Sequence, residues 1–190
     1  MSSIRSRSRK PLFAAMLATG MLFATAHADD HVTMVDGAKM YADRNIVENA
    51  ANADSLSTLV AAVKAADLVD TLSGEGPFTV FAPTNAAFSK LPAGTVETLL
   101  EPENKGQLQS ILTYHVVPAK ATASAVVGMI RSGGGEATVQ TVQGSELTLL
   151  LEGGETVVVE DEQGNLANVV KADIMQSNGV VHVIDTVLMP

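Results

Sequence analysis

The spacing of apolar residues changes once along this chain, and that change limits what the chain can fold into. In DSLSTLVAAVKAADLV, Leu56, Leu59, Val60, Val63 and Ala66 recur at i, i+3, i+4, i+7 and i+10, which places them on one face of a helix. Asp54 or Ser55 can cap its N-terminus through a side-chain oxygen. PAGTVETLLEP and PENKGQLQSILTY continue as short helices punctuated by Pro92, Pro102 and an interior Gly106. The second half reads differently. ATVQTV, SELTLLLE, ETVVVED and NGVVHVIDTVLM are β-rich runs separated by QGS, EGGE and EQGN, where glycine permits tight turns. Helices first and meandering strands after predict an α+β domain with an antiparallel sheet or sandwich. SGGG at 132–135 is a flexible connection; with no following lysine and no helix start, it lacks the context of a phosphate loop.

Within the helical half lies an abrupt corner. GPFTVFAPTNAAF, residues 76–88, begins as an apolar β run, stops at Pro83 and restarts with helix-forming alanines. Pro83 donates no hydrogen bond and pushes Ala82 toward an extended conformation, so the strand must end there. Thr84 or Asn85 can then accept a backbone N–H and start a short helix, whose Phe88 ring can seal it onto the sheet.

The N-terminus reads as a cleaved secretory signal. Arg5, Arg7, Arg9 and Lys10 form a basic region, LFAAMLATGMLFATA follows as an apolar stretch, and Ala26-His27-Ala28 supplies a small-x-small cleavage site. The apolar run is shorter than the roughly 20 residues a spanning helix needs. Residues 29–44 show no firm periodicity and read as a mobile N-terminal arm, with the ordered domain over 45–190. Removing four basic residues from a net charge of −9 leaves −13, and such a surface repels phosphate backbones, arguing against a nucleic-acid partner. There is no cysteine, so neither disulfides nor a lipid-modified cysteine contributes, and the domain must rely on its own core. Aromatic residues are 4% of the chain and tryptophan is absent, which weakens any sugar-stacking platform.

TVFAPTNAAF, then ILTYHVV at 111–117, then NGVVHVIDTVLMP at 178–190, resemble in order and spacing the signature segments of the fasciclin (FAS1) domain. Joined to NIVENAANADSLSTLVAAVKAADLVDTL, the resemblance covers about residues 45–190. It implies a wedge-shaped β-sandwich of about seven strands covered by a layer of short helices, and an extracytoplasmic location in a single-domain, secreted bacterial member. The motif residues it marks are Phe81, Pro83, Thr84, Asn85, Tyr114, His115, Asn178, Gly179, His182 and Asp185, with a mainly structural role. The family often carries aspartate at the position of Asn85. Asparagine keeps the hydrogen-bonding shape but cannot act as a base, so the substitution favours a structural corner.

The same residues include groups capable of chemistry. His115 or His182, with Asp185 and a hydroxyl from Thr84 or Ser89, are the ingredients of a triad, but no G-x-S-x-G elbow is present. His115 lies among Ile111, Leu112, Val116 and Val117, the setting of a satisfied core histidine. His31, His115 and His182 lack close ligand spacing, and EDEQGN at 160–165 lacks the twelve-residue calcium-loop order and reads as a solvated acidic hairpin. No catalytic, metal or cofactor site is therefore expected.

The expected function is a non-enzymatic, secreted or periplasmic interaction module that recognises a protein or glycan at a cell surface or in its matrix. The alternative is a carrier for an apolar small molecule of lipid or carotenoid type. Leu59, Val60, Val63, Leu68, Val69 and Leu72 would line its groove between helices and sheet.

Overall fold

A computed structural model describes residues 32–190. The signal segment, its cleavage site and His31 lie outside the described residues. The helical half comprises α1 (Ile46–Ala50), α2 (Ser57–Ala65), α3 (Val69–Ser73), α4 (Asn85–Ser89), α5 (Thr95–Leu99) and α6 (Lys105–Tyr114), with 3-10 turns at Asp54–Leu56 and Pro102–Asn104. The strands are β3 (Phe78–Pro83), β4 (Val116–Val117), β5 (Glu136–Gln140), β6 (Glu146–Glu152), β7 (Thr156–Glu160), β8 (Leu166–Gln176) and β9 (Gly179–Ile184). They form a seven-stranded sheet in the order β4-β3-β9-β8-β7-β6-β5. Short helices on such a sheet are the expected α+β sandwich.

The sheet is antiparallel except at one place. β3 and β9 run parallel, with Phe78 opposite Gly179 and Pro83 opposite Ile184. A parallel pair needs a long crossover, and here everything from α4 to β8 lies between its two strands. β8 is 11 residues long and pairs with β7 near one end and β9 along the other, with register shifts between Val169, Lys171 and Ile174. Bulges of this kind bend a strand and raise its twist, which lets β8 serve both layers of the sandwich. At the opposite corner Val142 N–H donates to Val116 O at 2.7 Å, so the sheet nearly closes on itself.

Two apolar clusters fill the fold. Leu59, Val63, Leu108, Ile111, Val181 and Val183 pack between the helical layer and the sheet. Phe81, Tyr114, Leu147, Leu149, Val159 and Ile184 fill the space inside the folded sheet. The second is sealed by α7 (Ala123–Ser132), through Val126 and Ile130. Alternation along β9 therefore divides its residues between the two clusters, as a period of two requires.

Three expectations need correction. Residues 32–41, part of the segment read as a mobile arm, form a hairpin of β1 (Val32–Val35) and β2 (Ala38–Tyr41), with Val35 and Met40 buried in the first cluster. Its turn is Asp36-Gly37, with φ of 47° and 87°, the left-handed pair that a two-residue hairpin demands. Neither Asp54 nor Ser55 caps α2, because the 3-10 turn intervenes and Leu56 occupies the cap position with no side-chain bond. Asp161 in EDEQGN is not solvated but buried, for reasons given below.

Candidate functional site

The corner at Thr84 joins three pieces of chain. Thr84 Oγ1 accepts from Ala87 N at 3.2 Å and caps α4, while Thr84 N–H donates to Ile184 O at the end of β9. Asn85 then reaches sideways to the start of α2. Its Oδ1 accepts from Thr58 N at 3.0 Å, and its Nδ2 donates to Asp54 O at 2.8 Å and to Ser57 Oγ at 3.0 Å. Asn85 is thus the missing cap of α2, supplied from 27 residues downstream. An aspartate could accept from Thr58 but could not donate to the Asp54 carbonyl, which gives Asn85 a physical reason beyond the loss of a base.

His115 and Tyr114 hold the C-terminal segment. The Ile111 carbonyl can only accept, so His115 Nδ1 carries the proton and donates to it at 2.8 Å; Nε2 then accepts from Leu188 N at 3.0 Å. Burial drives the His115 pKa down to about 4, against the opposing pull of the Ile111 bond and the Asp161 carboxylate. The Tyr114 hydroxyl donates to Glu146 O and accepts from Glu162 N, both at 3.1 Å. Asp161 completes the arrangement. Its carboxylate accepts from the backbone N–H groups of Gln163, Asn165 and Met189, which is why an acidic side chain can be 5% exposed.

His182 performs the same service on the other side of the sheet. Its Nε2 donates to Ala121 O at 2.7 Å, leaving Nδ1 to accept from Asp173 N at 3.3 Å. Its ring stacks on Phe81 with centroids 5.7 Å apart. Burial lowers its pKa also, opposed by the Ala121 bond and by Asp173. Asp173, in the left-handed region at φ 56°, in turn accepts from Ala123 N at the start of α7.

Asn178 is a three-way clamp between distant segments. Its Oδ1 accepts from Ile46 N, and its Nδ2 donates to Leu72 O at 2.8 Å and Gly74 O at 3.0 Å. Beside it a Cβ on Gly179 would stand 2.1 Å from Phe78 O, so only glycine lets β9 approach β3 this closely. Asp185 accepts from Asn168 N at 2.9 Å, from Thr186 Oγ1, and from Lys90 Nζ across a 3.4 Å ion pair. Partial burial pulls its pKa up, but these donors outweigh it and hold the carboxyl below the usual range.

The ingredients of a triad are therefore separated. Both ring nitrogens of each histidine are committed to the backbone, Asp185 faces Asn168 and Lys90, Thr84 is a cap, and Ser89 Oγ donates to Asn85 O. No base is left to activate a hydroxyl among these residues.

Two cavities bear on binding. The apolar one between helices and sheet, lined by Leu59, Val60, Val63, Leu72 and His115 among others, measures about 30 Å³. The second is an open polar groove of about 560 Å³ where the 73–77 loop meets the 176–179 turn. Sequence reasoning missed this groove, because its walls are loops with no periodicity to read. It missed Asp161 because a single buried acid in a run of exposed ones has no pattern of its own.

The Fasciclin domain model matches residues 54–190. This chain belongs to the fasciclin domain family. The fasciclin relatives include Protein sll1483 of Synechocystis, 56% identical over 76% of this chain and 73% of that protein. Immunogenic protein MPB70 of Mycobacterium bovis is 44% identical over 74% of this chain and 66% of its own length. Cell surface glycolipoprotein MPB83 of the same species is 42% identical over 74% of this chain and 58% of its own. Among solved structures, a FAS1 domain pair from the insect cell adhesion molecule Fasciclin I superposes with a TM-score of 0.68. At 21% identity it covers 77% of this chain and 51% of that pair, a likeness of fold. No helix among the described residues is long and apolar enough to cross a membrane.

Proposed function

We propose that this chain is a non-enzymatic, extracytoplasmic interaction module that recognises a protein or glycan partner at a cell surface or in its matrix. The observation that carries this reading is how the motif polar groups are used. Asn85, Tyr114, His115, Asn178, His182 and Asp185 hold backbone segments together and leave no free base or nucleophile among them. The fasciclin signature in this chain is scaffold, and recognition falls to the exposed loops and edge strands that the scaffold positions. The cell-surface name of one relative and the cell-adhesion title of the fold neighbour support the same class of function. The basic, apolar and small-x-small run over residues 1–28 supports export.

The carrier reading has less support. A cavity of about 30 Å³ accommodates roughly one water, whereas small-molecule sites run from about 300 Å³ upward. A lipid or polyene would have to prise the helical layer off the sheet.

The test is attachment of the purified chain to cells of the source organism from which its gene has been deleted. Saturable binding, abolished by pretreating those cells with protease or glycosidase, is the expected result. Binding that rises linearly without saturation, or none at all, would contradict the proposal.

A further inference from the structure

The open polar groove of about 560 Å³ lies in the size range of ligand sites, and of the motif residues only Asn178 and Gly179 line it. Its floor is rigid. Asn178 ties the 73–77 loop to the start of α1, Phe78 N–H donates to Asn178 O, and Ser177 N–H donates to Arg44 O. Gly76 is packed so closely that a Cβ there would stand 1.9 Å from Asn178 O. A groove braced on three sides loses little conformational freedom when it is filled.

The rim is unspent. Asp43 and Glu75 reach it from one sign of charge and Lys120 from the other, and none of the three has an ion-pair or hydrogen-bond partner among the described residues. Glu48 adds a third carboxylate, one oxygen of which caps α1 by accepting from Asn45 N. Ser73 and Ser177 add hydroxyls, and Pro77 is the largest apolar ring in the lining. This lining selects by elimination. An apolar ligand would strand the polar rim without partners. An anion meets three carboxylates, and a simple cation meets Lys120 as well as leaving its donors and the hydroxyls unused. A neutral polyhydroxylated ligand donates to the carboxylates and accepts from Lys120 at the same time.

We propose that this groove binds a neutral oligosaccharide, held by hydrogen bonds at Asp43, Glu75 and Lys120 rather than by ring stacking. This rests on the recognition reading above and narrows its partner to a glycan.

The test is titration of the full chain with cellohexaose, maltohexaose and β-1,4-mannohexaose, followed by backbone amide NMR. At least one hexasaccharide is expected to shift the amides of residues 74–79 and 176–179 saturably. Glu75→Ala and Lys120→Ala are each expected to raise Kd by about fivefold or more, from one lost charged hydrogen bond. Both side chains are exposed and partner-free, so their unfolding midpoints should match the wild type. Glu155→Ala, in the distant turn between β6 and β7, should leave Kd unchanged. No saturable shift with any of the three sugars at about 10 mM overturns the proposal. So do shifts confined to amides outside the groove, or groove shifts given by an arginine-rich peptide and by no sugar, which would assign the site to a protein partner. If the groove fails while attachment to cells persists, only this assignment falls; if attachment fails too, the recognition reading falls with it.

Discussion

Acidification from pH 7.5 to pH 4 is expected to weaken this fold, and His115 is one source of the effect. The imidazole is 2% exposed and neutral, with Nδ1–H given to Ile111 O and the Nε2 lone pair taken by Leu188 N–H. Protonation would put a second N–H where Leu188 already donates and would place a charge in an apolar site. The folded pKa is about 4 against 6.5 for an unburied histidine, so between these values the unfolded chain binds the proton and the folded chain does not. Stability from this group is therefore fully present above pH 6.5 and is lost as pH falls toward 4. At ~1.4 kcal/mol per pH unit the loss at pH 4 is about 3 kcal/mol. His182, whose pKa burial also lowers, adds to the loss in the same direction, while Asp185 adds only below the ordinary carboxylate range. Asp161 is the charged group facing His115, and its carboxylate moderates the shift rather than causing it. The assay is urea unfolding of the wild type and His115→Gln at pH 7.5 and pH 4. The variant is expected to be weaker at pH 7.5 by about 1–3 kcal/mol, for unpaired backbone groups, and to lose about 3 kcal/mol less than wild type on acidification. Equal losses for both proteins would refute the reasoning.

Asn85→Asp removes the donor to the Asp54 carbonyl and sets a carboxylate against that oxygen. Stability is expected to fall by about 1–2 kcal/mol, or several degrees in Tm, and an unchanged melting curve would remove Asn85 from the capping of α2. Gly179→Ala drives a methyl to 2.1 Å from Phe78 O and forces β9 away from β3. A loss of about 1–3 kcal/mol in urea unfolding is expected, with faster amide exchange along both strands; exchange as slow as wild type would contradict the close approach.

Elements with a strong period were legible, and those held by distant partners were not. The face of α2, the break at Pro83 and the alternation of β9 all follow from local residue order. So did a cap at Thr84 or Asn85, because its partner, Ala87 N, belongs to the helix that follows. The cap of α2 was misplaced for the opposite reason. Asp54 and Ser55 have the right chemistry at the right place, yet tertiary structure inserts a 3-10 turn and lets Asn85 do the capping. Ser55 Oγ is buried and has no hydrogen-bond partner among the described residues. The β1–β2 hairpin was overlooked although Asp36-Gly37 between two short β-prone runs is a recognised turn signal. α7 escaped because the glycine-rich SGGG after it suggested a connection; Thr122, whose hydroxyl accepts from Ala125 N, was the available start signal. The parallel pairing of β3 with β9 and the polar groove depend on which distant segments meet, and no window of sequence carries that.

The central claim is that the fasciclin signature of this chain builds a scaffold and that attachment belongs to its surface. The most direct test is the saturation isotherm of His115→Gln and His182→Gln on gene-deleted cells, below their unfolding temperatures and scaled to folded protein. The account expects each folded variant to attach with the wild-type Kd, since neither ring reaches the surface. A folded histidine variant that no longer attaches would contradict it and would return these residues to the site of function.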